Sequence, residues 1–230
     1  MATPVTTTEP TCAGAVFDLD GTLVDTLGLL PQLYAAAIRE VGGPEVSAEE
    51  IVGTWHIGSS PVLLGHFLDD PSLVPAALEC FYEQLESGMS HVALFPGIAH
   101  LLAEARALGV RVGVLTNATR RNAEQVMRRS GLDVLVDVTL TADEVPSKPR
   151  PDGLLALLDH LGVAAESSIM VGDSWNDLAA ADAAGVRGVH AAWTDHGQCR
   201  LPEPRAHDCV VAPSIVADYF WQRPHCPSES

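Results

Sequence analysis

The acidic residues that end the first apolar run are the strongest candidates for chemistry in this sequence. Asp18 and Asp20 close the run at residues 13–19 and are separated by one leucine. Alternate side chains of a strand point to the same face, so the two carboxylates start on one side. Because carboxylates this close repel each other, the pair favours a cation between them, and oxygen ligands of this kind are typical of Mg²⁺.

Polar side chains also follow two later apolar runs. Thr116 and Asn117 follow one of them, Asp173 follows another, and Asp177 lies one helical turn further on. A hydroxyl, an amide and nearby backbone N–H groups can hold phosphate oxygens. Asp173 can complete a metal site together with the first acidic pair. Helix capping is the alternative interpretation for Thr116–Asn117, and the active-site role of Asp177 also stays open.

Lys148 is the only lysine of the 230 residues. It lies in a polar loop after a predicted strand, which favours a specific charge role over that of an ordinary solvated lysine. Three carboxylates, one ammonium, one hydroxyl and one amide together match phosphoryl transfer, in which a metal and a lysine neutralise phosphate charge. A carboxylate can also act as a nucleophile and divide the reaction into two steps.

An alternation of strand and helix patterns predicts how these side chains come together. Apolar runs predict strands at residues 13–19, 110–115, 134–140, 168–171 and 186–190. The patterns between the later strands predict helices at residues 97–108, 120–129, 153–161 and 176–184. Single helices between strands imply right-handed crossovers and a parallel, doubly wound α/β sheet, with its chemistry beyond the C-terminal strand ends. A last strand at 209–212 and a short helix at 214–219 are also expected.

The interval between the first two strands breaks this alternation. Residues 26–94 carry no strand pattern, and their periodicity predicts helices at 30–41, 48–53, 61–68 and 74–89. We therefore expect a small all-helical cap domain at residues 26–94, over the C-terminal edge of the first strand. The α/β core would then be discontinuous, formed by residues 12–25 and 95–230.

Four motifs along the chain carry a family resemblance. DLDGTLVDT, LTNAT, KPRPD and VGDSWND, in this order, resemble the motifs of the haloacid dehalogenase superfamily. The match runs from residue 13 to about residue 190 and is similar to the phosphoglycolate-phosphatase-like branch, which has an α-helical cap between the first two motifs. The resemblance implies a Rossmann-like core and a Mg²⁺-dependent phosphatase that works through an aspartyl-phosphate.

The resemblance also implies roles for the acidic motif residues. Asp18 would attack phosphorus, while Asp20 would protonate the leaving oxygen and then activate water. Mg²⁺ would be bound by Asp18, the backbone carbonyl of Asp20, and Asp173.

The remaining motif residues would act on the phosphoryl group or support those that do. Thr116 and Asn117 would hold the transferring group, and Lys148 would bridge phosphate and nucleophile. Asp177 would lie behind these groups and orient Lys148. Closure of the cap would exclude water and select the leaving group.

The predicted cap bears on the substrate. Trp55 and His56, in a glycine-flanked segment, are candidate substrate contacts; the alternative is that Trp55 fills the cap core and His56 lies at the surface. Arg39 is the only lysine or arginine of residues 26–94, against nine acidic residues. A second anionic group on the substrate would need a cation, so we predict a neutral or cationic leaving group.

Two other functions remain open at this stage. A phosphomutase of the β-phosphoglucomutase type shares the motifs, and a catalytically silent binding or regulatory protein could retain them. A dehalogenase is disfavoured because Asp20 is present. A phosphonate-cleaving relative is disfavoured because the cap has no lysine for a Schiff base.

The amino-acid composition limits the classes of partner that we expect for the protein. The formal net charge is −17, which disfavours nucleic acids and anionic membrane surfaces. The sequence has neither a secretory signal pattern nor an apolar run near the roughly 18 residues of a membrane span. The five cysteines are scattered and do not indicate a disulfide framework. We expect a cytoplasmic monomer or homodimer that acts on a small-molecule phosphate ester.

Overall fold

The central feature of the fold is one parallel β-sheet. The computed structural model of the chain describes residues 11–88, 92–193 and 208–221. Within them the sheet has six strands: β1 (Gly14–Phe17), β2 (Arg111–Leu115), β3 (Val138–Leu140), β4 (Ser168–Gly172), β5 (Arg187–Ala191) and β6 (Asp208–Val210). Their order is β3-β2-β1-β4-β5-β6, and every neighbouring pair is parallel. The predicted doubly wound α/β sheet is confirmed.

Strand β1 lies in the interior of the sheet and is buried on both faces. Gly14 pairs with Arg111 of β2 on one side and with Ser168 of β4 on the other. All four residues of β1 are buried, as expected for a parallel strand that is covered by helices on both faces. The chain proceeds outward from β1 in both directions, and this reversal of strand order opens a crevice at the C-terminal strand ends.

Helices cover both faces of the sheet. The face with α7 is packed by Val16, Leu157 and Met170, whereas Phe17 and Val114 pack on the opposite face. The helices that follow residue 94 in the described chain are α5 (Ile98–Ala107), α6 (Arg120–Ser130), α7 (Asp152–Leu161), α8 (Trp175–Ala184) and α9 (Pro213–Val216). These elements are consistent with a Rossmann-like core.

The segment between β1 and α5 is helical wherever the structure describes it, apart from turns, loops and isolated bridges. Tyr34 stacks on Phe81 with ring centroids 4.1 Å apart, which joins its first and last helices. Ile51 and Leu64, from two others, are fully buried, so the segment has an apolar centre of its own. Its helices are α1 (Leu30–Glu40), α2 (Ala48–Gly53), α3 (Ser60–Phe67) and α4 (Val74–Gly88). The small helical cap is thus present, while its assignment as a separate domain of residues 26–94 stays a prediction.

Two predicted elements differ from the structure more than the others do. The strand predicted at 134–140 begins only at Val138, because Leu132–Val134 forms a 3₁₀ turn after the left-handed Gly131 that ends α6. Val134 is 69% exposed and would gain nothing from strand pairing at this edge. The helix predicted at 214–219 is divided into α9 and a 3₁₀ turn at Ala217–Phe220. No helix among the described residues has the length and apolar character needed to cross a membrane.

Candidate active site

The chain turns sharply after β1 and carries two acidic side chains to the C-terminal edge of the sheet. The Asp18 N–H donates to the Val171 carbonyl at 2.9 Å, so pairing with β4 continues one residue past the strand. Gly21 has a φ of 79°, and a Cβ there would lie 2.7 Å from Asp173 Oδ2. Only glycine combines this backbone conformation with so close an approach. The turn therefore places Asp18 and Asp20 beside the end of β4.

Lys148 lies at the centre of the site and is 4% exposed. Its ammonium donates to Asp18 Oδ1 at 2.6 Å, to Asp177 Oδ1 at 2.6 Å and to the Leu115 carbonyl at 2.7 Å. Because an ammonium has three N–H donors, this set uses all of them. Burial opposes the charge of Lys148, but the two carboxylates outweigh it and raise the pKa of the ammonium. Lys148 is thus a fixed positive charge in contact with Asp18.

The turn after β4 brings two further carboxylates to the same place. Asp173 is 6% exposed and accepts from Thr22 Oγ1 at 3.3 Å. Asp177 lies in the first turn of α8 and forms a capping box with Ser174. Its Oδ2 accepts from the Ser174 N–H at 3.0 Å and from the Ser174 hydroxyl at 2.5 Å. A Cβ on Gly172 would collide with the Asp177 carboxyl group. Asp177 therefore combines helix capping with the contact to Lys148.

The carboxylates carry more negative charge than Lys148 can balance. Burial raises the pKa of Asp18 to about 7, although the Lys148 ammonium opposes this shift. Burial also raises the pKa of Asp173, and the nearby charges of Asp18 and Asp177 add to that effect. A cation bound here would stabilise the ionised forms of these groups.

The donor set of this cluster fits a divalent cation with a preference for oxygen ligands. Carboxylate oxygens of Asp18, Asp173 and Asp177 lie within 4.8 Å of one another, and all three residues are buried. Asp177 is already engaged by Lys148 and Ser174, which leaves Asp18 and Asp173 as the better placed ligands. Carboxylate oxygens suit Mg²⁺ rather than softer metals.

Asp20 points to a different partner from Asp18. Its Oδ1 accepts a 2.7 Å hydrogen bond from Thr26 Oγ1, at the beginning of the helical segment. Burial raises the pKa of Asp20, while Thr26 and the Lys148 charge lower it to a smaller extent. A carboxyl group with a raised pKa is suited to donate a proton near neutral pH.

The residues after β2 make contacts that sequence reasoning only partly anticipated. Thr116 is buried, and its Oγ1 accepts from the Ala118 N–H at 3.0 Å, which leaves its own hydroxyl hydrogen free to donate. The Asn117 side chain forms a reciprocal pair with the Lys148 backbone, at 2.8 Å and 3.0 Å, and its contact with phosphate stays a prediction. This amide therefore positions the loop that carries the lysine. Thr119, and not Thr116 or Asn117, is the N-cap of α6.

The helical segment contributes one wall of the pocket above this cluster. Trp55 lines it and makes an edge contact with Tyr34, the ring centroids being 5.8 Å apart. His56 belongs to a described 3₁₀ turn, Trp55–Ile57, but its side chain is outside the described part of the structure. Sequence reasoning missed the lining residues Leu27, Leu30, Tyr34, Ser60, Leu63 and Asn122. The signal available for Tyr34 was its place on the apolar face of α1.

Comparison with known proteins identifies the family. The sequence model of the haloacid dehalogenase-like hydrolases matches residues 15–191. Phosphoglycolate phosphatase of Yersinia pestis is 32% identical over 222 residues, which span 88% of this chain and 92% of that protein. Pyrophosphatase PpaX of Bacillus mycoides is 29% identical over 189 residues, 81% of this chain and 86% of that protein. The chain belongs to the haloacid dehalogenase-like hydrolase family.

A solved structure supports the same conclusion. CbbY from Rhodobacter sphaeroides, in complex with phosphate, superimposes with a TM-score of 0.77 at 27% identity, over 86% of this chain and 92% of that one. The predictions of the superfamily, its phosphoglycolate-phosphatase-like branch and the enzyme class, a phosphatase of phosphoric monoesters, are confirmed. The roles assigned to individual residues stay predictions.

Proposed function

We propose that the chain hydrolyses a small-molecule phosphate monoester through an aspartyl-phosphate on Asp18, with Mg²⁺ as its cofactor. The observation that carries the proposal is the buried ion-pair network in which Lys148 contacts both Asp18 and Asp177 at 2.6 Å, beside Asp173. A merely structural role for these groups is disfavoured, because burying several carboxylates around one ammonium is costly.

The reaction would proceed in two steps, transfer of the phosphoryl group to Asp18 and its hydrolysis by water. A carboxylate oxygen of Asp18 attacks phosphorus, the ester P–O bond breaks, and Asp20 donates its proton to the departing alcohol oxygen. Asp20 then takes a proton from water, the water oxygen attacks phosphorus, and the bond to Asp18 breaks. Inorganic phosphate leaves, Asp18 is again a carboxylate, and Asp20 is again protonated.

The surrounding groups would bind and orient the phosphoryl group. The Thr116 hydroxyl offers a donor to its oxygens, the Lys148 ammonium supplies positive charge beside them, and the Asn117 amide keeps the lysine loop in place. Mg²⁺, held by Asp18, the Asp20 carbonyl and Asp173, would supply positive charge that offsets the charge on the phosphoryl oxygens. Asp177 would keep Lys148 charged and correctly aimed.

Replacing the nucleophile tests the proposal. With para-nitrophenyl phosphate as substrate, Asp18→Asn should lower kcat by about three orders of magnitude or more, because the amide is a poor nucleophile. Acid-quenched wild-type enzyme should carry phosphate that hydroxylamine releases, and the variant should carry none. Asp159→Asn, at an exposed position of α7, is the control and should retain turnover. Near-normal turnover by Asp18→Asn would refute the assignment.

A further inference from the structure

The pocket wall that the helical segment and its entry loop provide is largely apolar. Leu27, Leu30 and Leu63 line it, and each is at most 6% exposed. The rings of Tyr34 and Trp55 complete this wall. The cavity volume is about 80 Å³. Because pockets for drug-sized ligands measure about 300–1,000 Å³, this space suits a small ester whose leaving group packs against hydrocarbon.

The described lining offers no free positive charge for a second anionic group. Lys148 is the only lysine or arginine among the lining residues, and its three donors are used within the site. Arg39 is exposed on α1 and does not line the pocket. Arg121, on the core side, is held by Glu79 at 2.8 Å. A carboxylate or second phosphate against the apolar wall would therefore lose water without gaining a partner.

A positively charged leaving group finds no carboxylate on this wall. None of the nine acidic side chains between positions 26 and 94 lines the described pocket. The Tyr34 hydroxyl stays protonated, because burial, more than any other cause, raises its pKa. The carboxylates that do line the pocket are Asp18, Asp20 and Asp173, and the proposed reaction uses all of them.

Two polar groups at the pocket suit a neutral hydroxyl. Asn122 is 2% exposed, and its Oδ1 is buried without a hydrogen-bond partner among the described residues. The hydroxyls of Tyr34 and Ser60 lie 2.6 Å apart, and their shared bond uses one of their two hydrogens, so one O–H can still donate. A buried acceptor left unpaired costs free energy, which a hydroxyl donor from a ligand would recover.

We propose that the pocket selects phosphate monoesters of small, uncharged, hydroxyl-bearing alcohols and disfavours esters that carry a second anionic group. The leaving group packs against Leu27, Leu30 and Leu63, and its hydroxyl is recognised at Asn122. This substrate class rests on the proposed function, because it assumes that the ester phosphate binds at Asp18 and Lys148. The sequence predicted a neutral or cationic leaving group, and this proposal restricts the prediction to a neutral one.

A matched set of three esters tests the charge preference directly. 2-Hydroxyethyl phosphate, 2-phosphoglycolate and phosphoethanolamine are similar in size and differ in the charge of the leaving group. We expect kcat/KM for 2-hydroxyethyl phosphate to exceed that for 2-phosphoglycolate at least about tenfold, with phosphoethanolamine also below it. Equal or better turnover of either charged ester overturns the substrate class.

Para-nitrophenyl phosphate separates this inference from the proposed function. Mg²⁺-dependent turnover of para-nitrophenyl phosphate, together with a preference for 2-phosphoglycolate, overturns only the substrate class. Absence of turnover with every ester overturns both.

A cation introduced into the wall should weaken the preference for the uncharged ester over 2-phosphoglycolate. Trp55 is half-buried and lines the pocket, so Trp55→Arg places a guanidinium there and removes the ring contact with Tyr34. Val62 is 51% exposed, and Val62→Arg adds the same charge outside the pocket. We expect the ratio of kcat/KM for 2-phosphoglycolate over 2-hydroxyethyl phosphate to rise about tenfold in Trp55→Arg only. An equal rise in both variants would mean that the overall charge of the segment sets the preference, which contradicts the proposal.

Removing the amide tests the hydroxyl contact. Ethyl phosphate has the same carbon chain as 2-hydroxyethyl phosphate and lacks its hydroxyl, so their ratio of kcat/KM reports this contact. Asn122→Ala should reduce the advantage of 2-hydroxyethyl phosphate by about tenfold, whereas a purely structural role would slow both esters equally. An unchanged ratio overturns the assignment of Asn122. Circular dichroism verifies that the variant is folded.

Discussion

At the scale of single residues, the site depends on close contacts that leave no room for a larger side chain. Gly21 and Gly172 allow backbone to approach Asp173 and Asp177 more closely than any side chain would permit. Lys148 has no spare donor, so any movement of Asp18, Asp177 or the Leu115 carbonyl leaves a buried N–H unpaired. The geometry around Lys148 is therefore the part of the site most sensitive to substitution.

Gly21 offers a test of this close packing with a matched control. Gly21 and Gly42 have φ angles of 79° and 81°, so alanine at either position should cost about 1–2 kcal/mol of stability. Only at Gly21 would the new Cβ meet Asp173 Oδ2, whereas Gly42 has nothing within 4 Å. We expect Gly21→Ala to lose most of kcat and Gly42→Ala to keep it. Thermal unfolding and steady-state kinetics of both variants measure the two effects, and equal kcat values would contradict the role of Gly21.

At the scale of elements, α4 is joined to α6 and to the turn before it. The Tyr82 hydroxyl lies 2.7 Å from Thr119 Oγ1, the N-cap of α6. The Arg121 guanidinium lies 4.2 Å from the centroid of the Tyr82 ring and forms an ion pair with Glu79. Since Thr119 follows Thr116 by three residues, these contacts link the helical segment to the turn that carries Thr116.

The buried contact of this junction should matter more than the exposed one. Tyr82 is 4% exposed, so Tyr82→Phe removes a buried hydrogen bond and leaves the Thr119 hydroxyl only its N-cap contact with the Asn122 N–H. This change should cost about 1 kcal/mol of unfolding free energy. The Glu79 and Arg121 side chains are 60% and 47% exposed, so Glu79→Gln should cost less than about 0.5 kcal/mol. Denaturant unfolding of both variants measures the difference. A larger loss in Glu79→Gln would show that the ion pair dominates.

The elements themselves were largely predictable from the sequence, whereas several site contacts were not. Local periodicity indicated the strands because each parallel strand is a short apolar run that ends in polar residues. The pair between Asn117 and Lys148 joins residues 31 positions apart, and no local pattern encodes it. Asn122 was missed for a related reason, since its burial arises from tertiary packing that no local pattern encodes. The β3 boundary was misjudged because edge position, not apolarity, decides where pairing begins.

At the scale of the whole molecule, the proposed Mg²⁺ site would link folding to metal binding. Mutual repulsion of Asp18, Asp173 and Asp177 disfavours the folded state, and a bound cation would relieve the part that Lys148 does not offset. Mg²⁺ that binds only the folded state stabilises it, by about 2.7 kcal/mol at a concentration 100 times its Kd. The stability of the protein should therefore depend on Mg²⁺ concentration in the absence of any substrate.

Differential scanning fluorimetry tests this linkage. Added Mg²⁺ should raise the Tm of the wild-type protein, because the ion removes repulsion that only the folded state experiences. Asp173→Asn removes one proposed ligand and should lose most of the Mg²⁺-dependent shift, while its Tm in EDTA equals or exceeds that of the wild type. Asp159→Asn is again the control and should keep the full shift. A full shift in Asp173→Asn would exclude this residue as a ligand.

The burial of the sole lysine has a practical consequence for handling the protein. Reagents that acylate lysine side chains, such as succinimidyl esters, need an exposed and uncharged amine. Lys148 is 4% exposed and is held as an ammonium by two carboxylates, so it meets neither condition in the native state. Lysine-directed crosslinkers and dyes should therefore leave the native side chains unmodified, and acylation at this position would report that the catalytic centre has come apart.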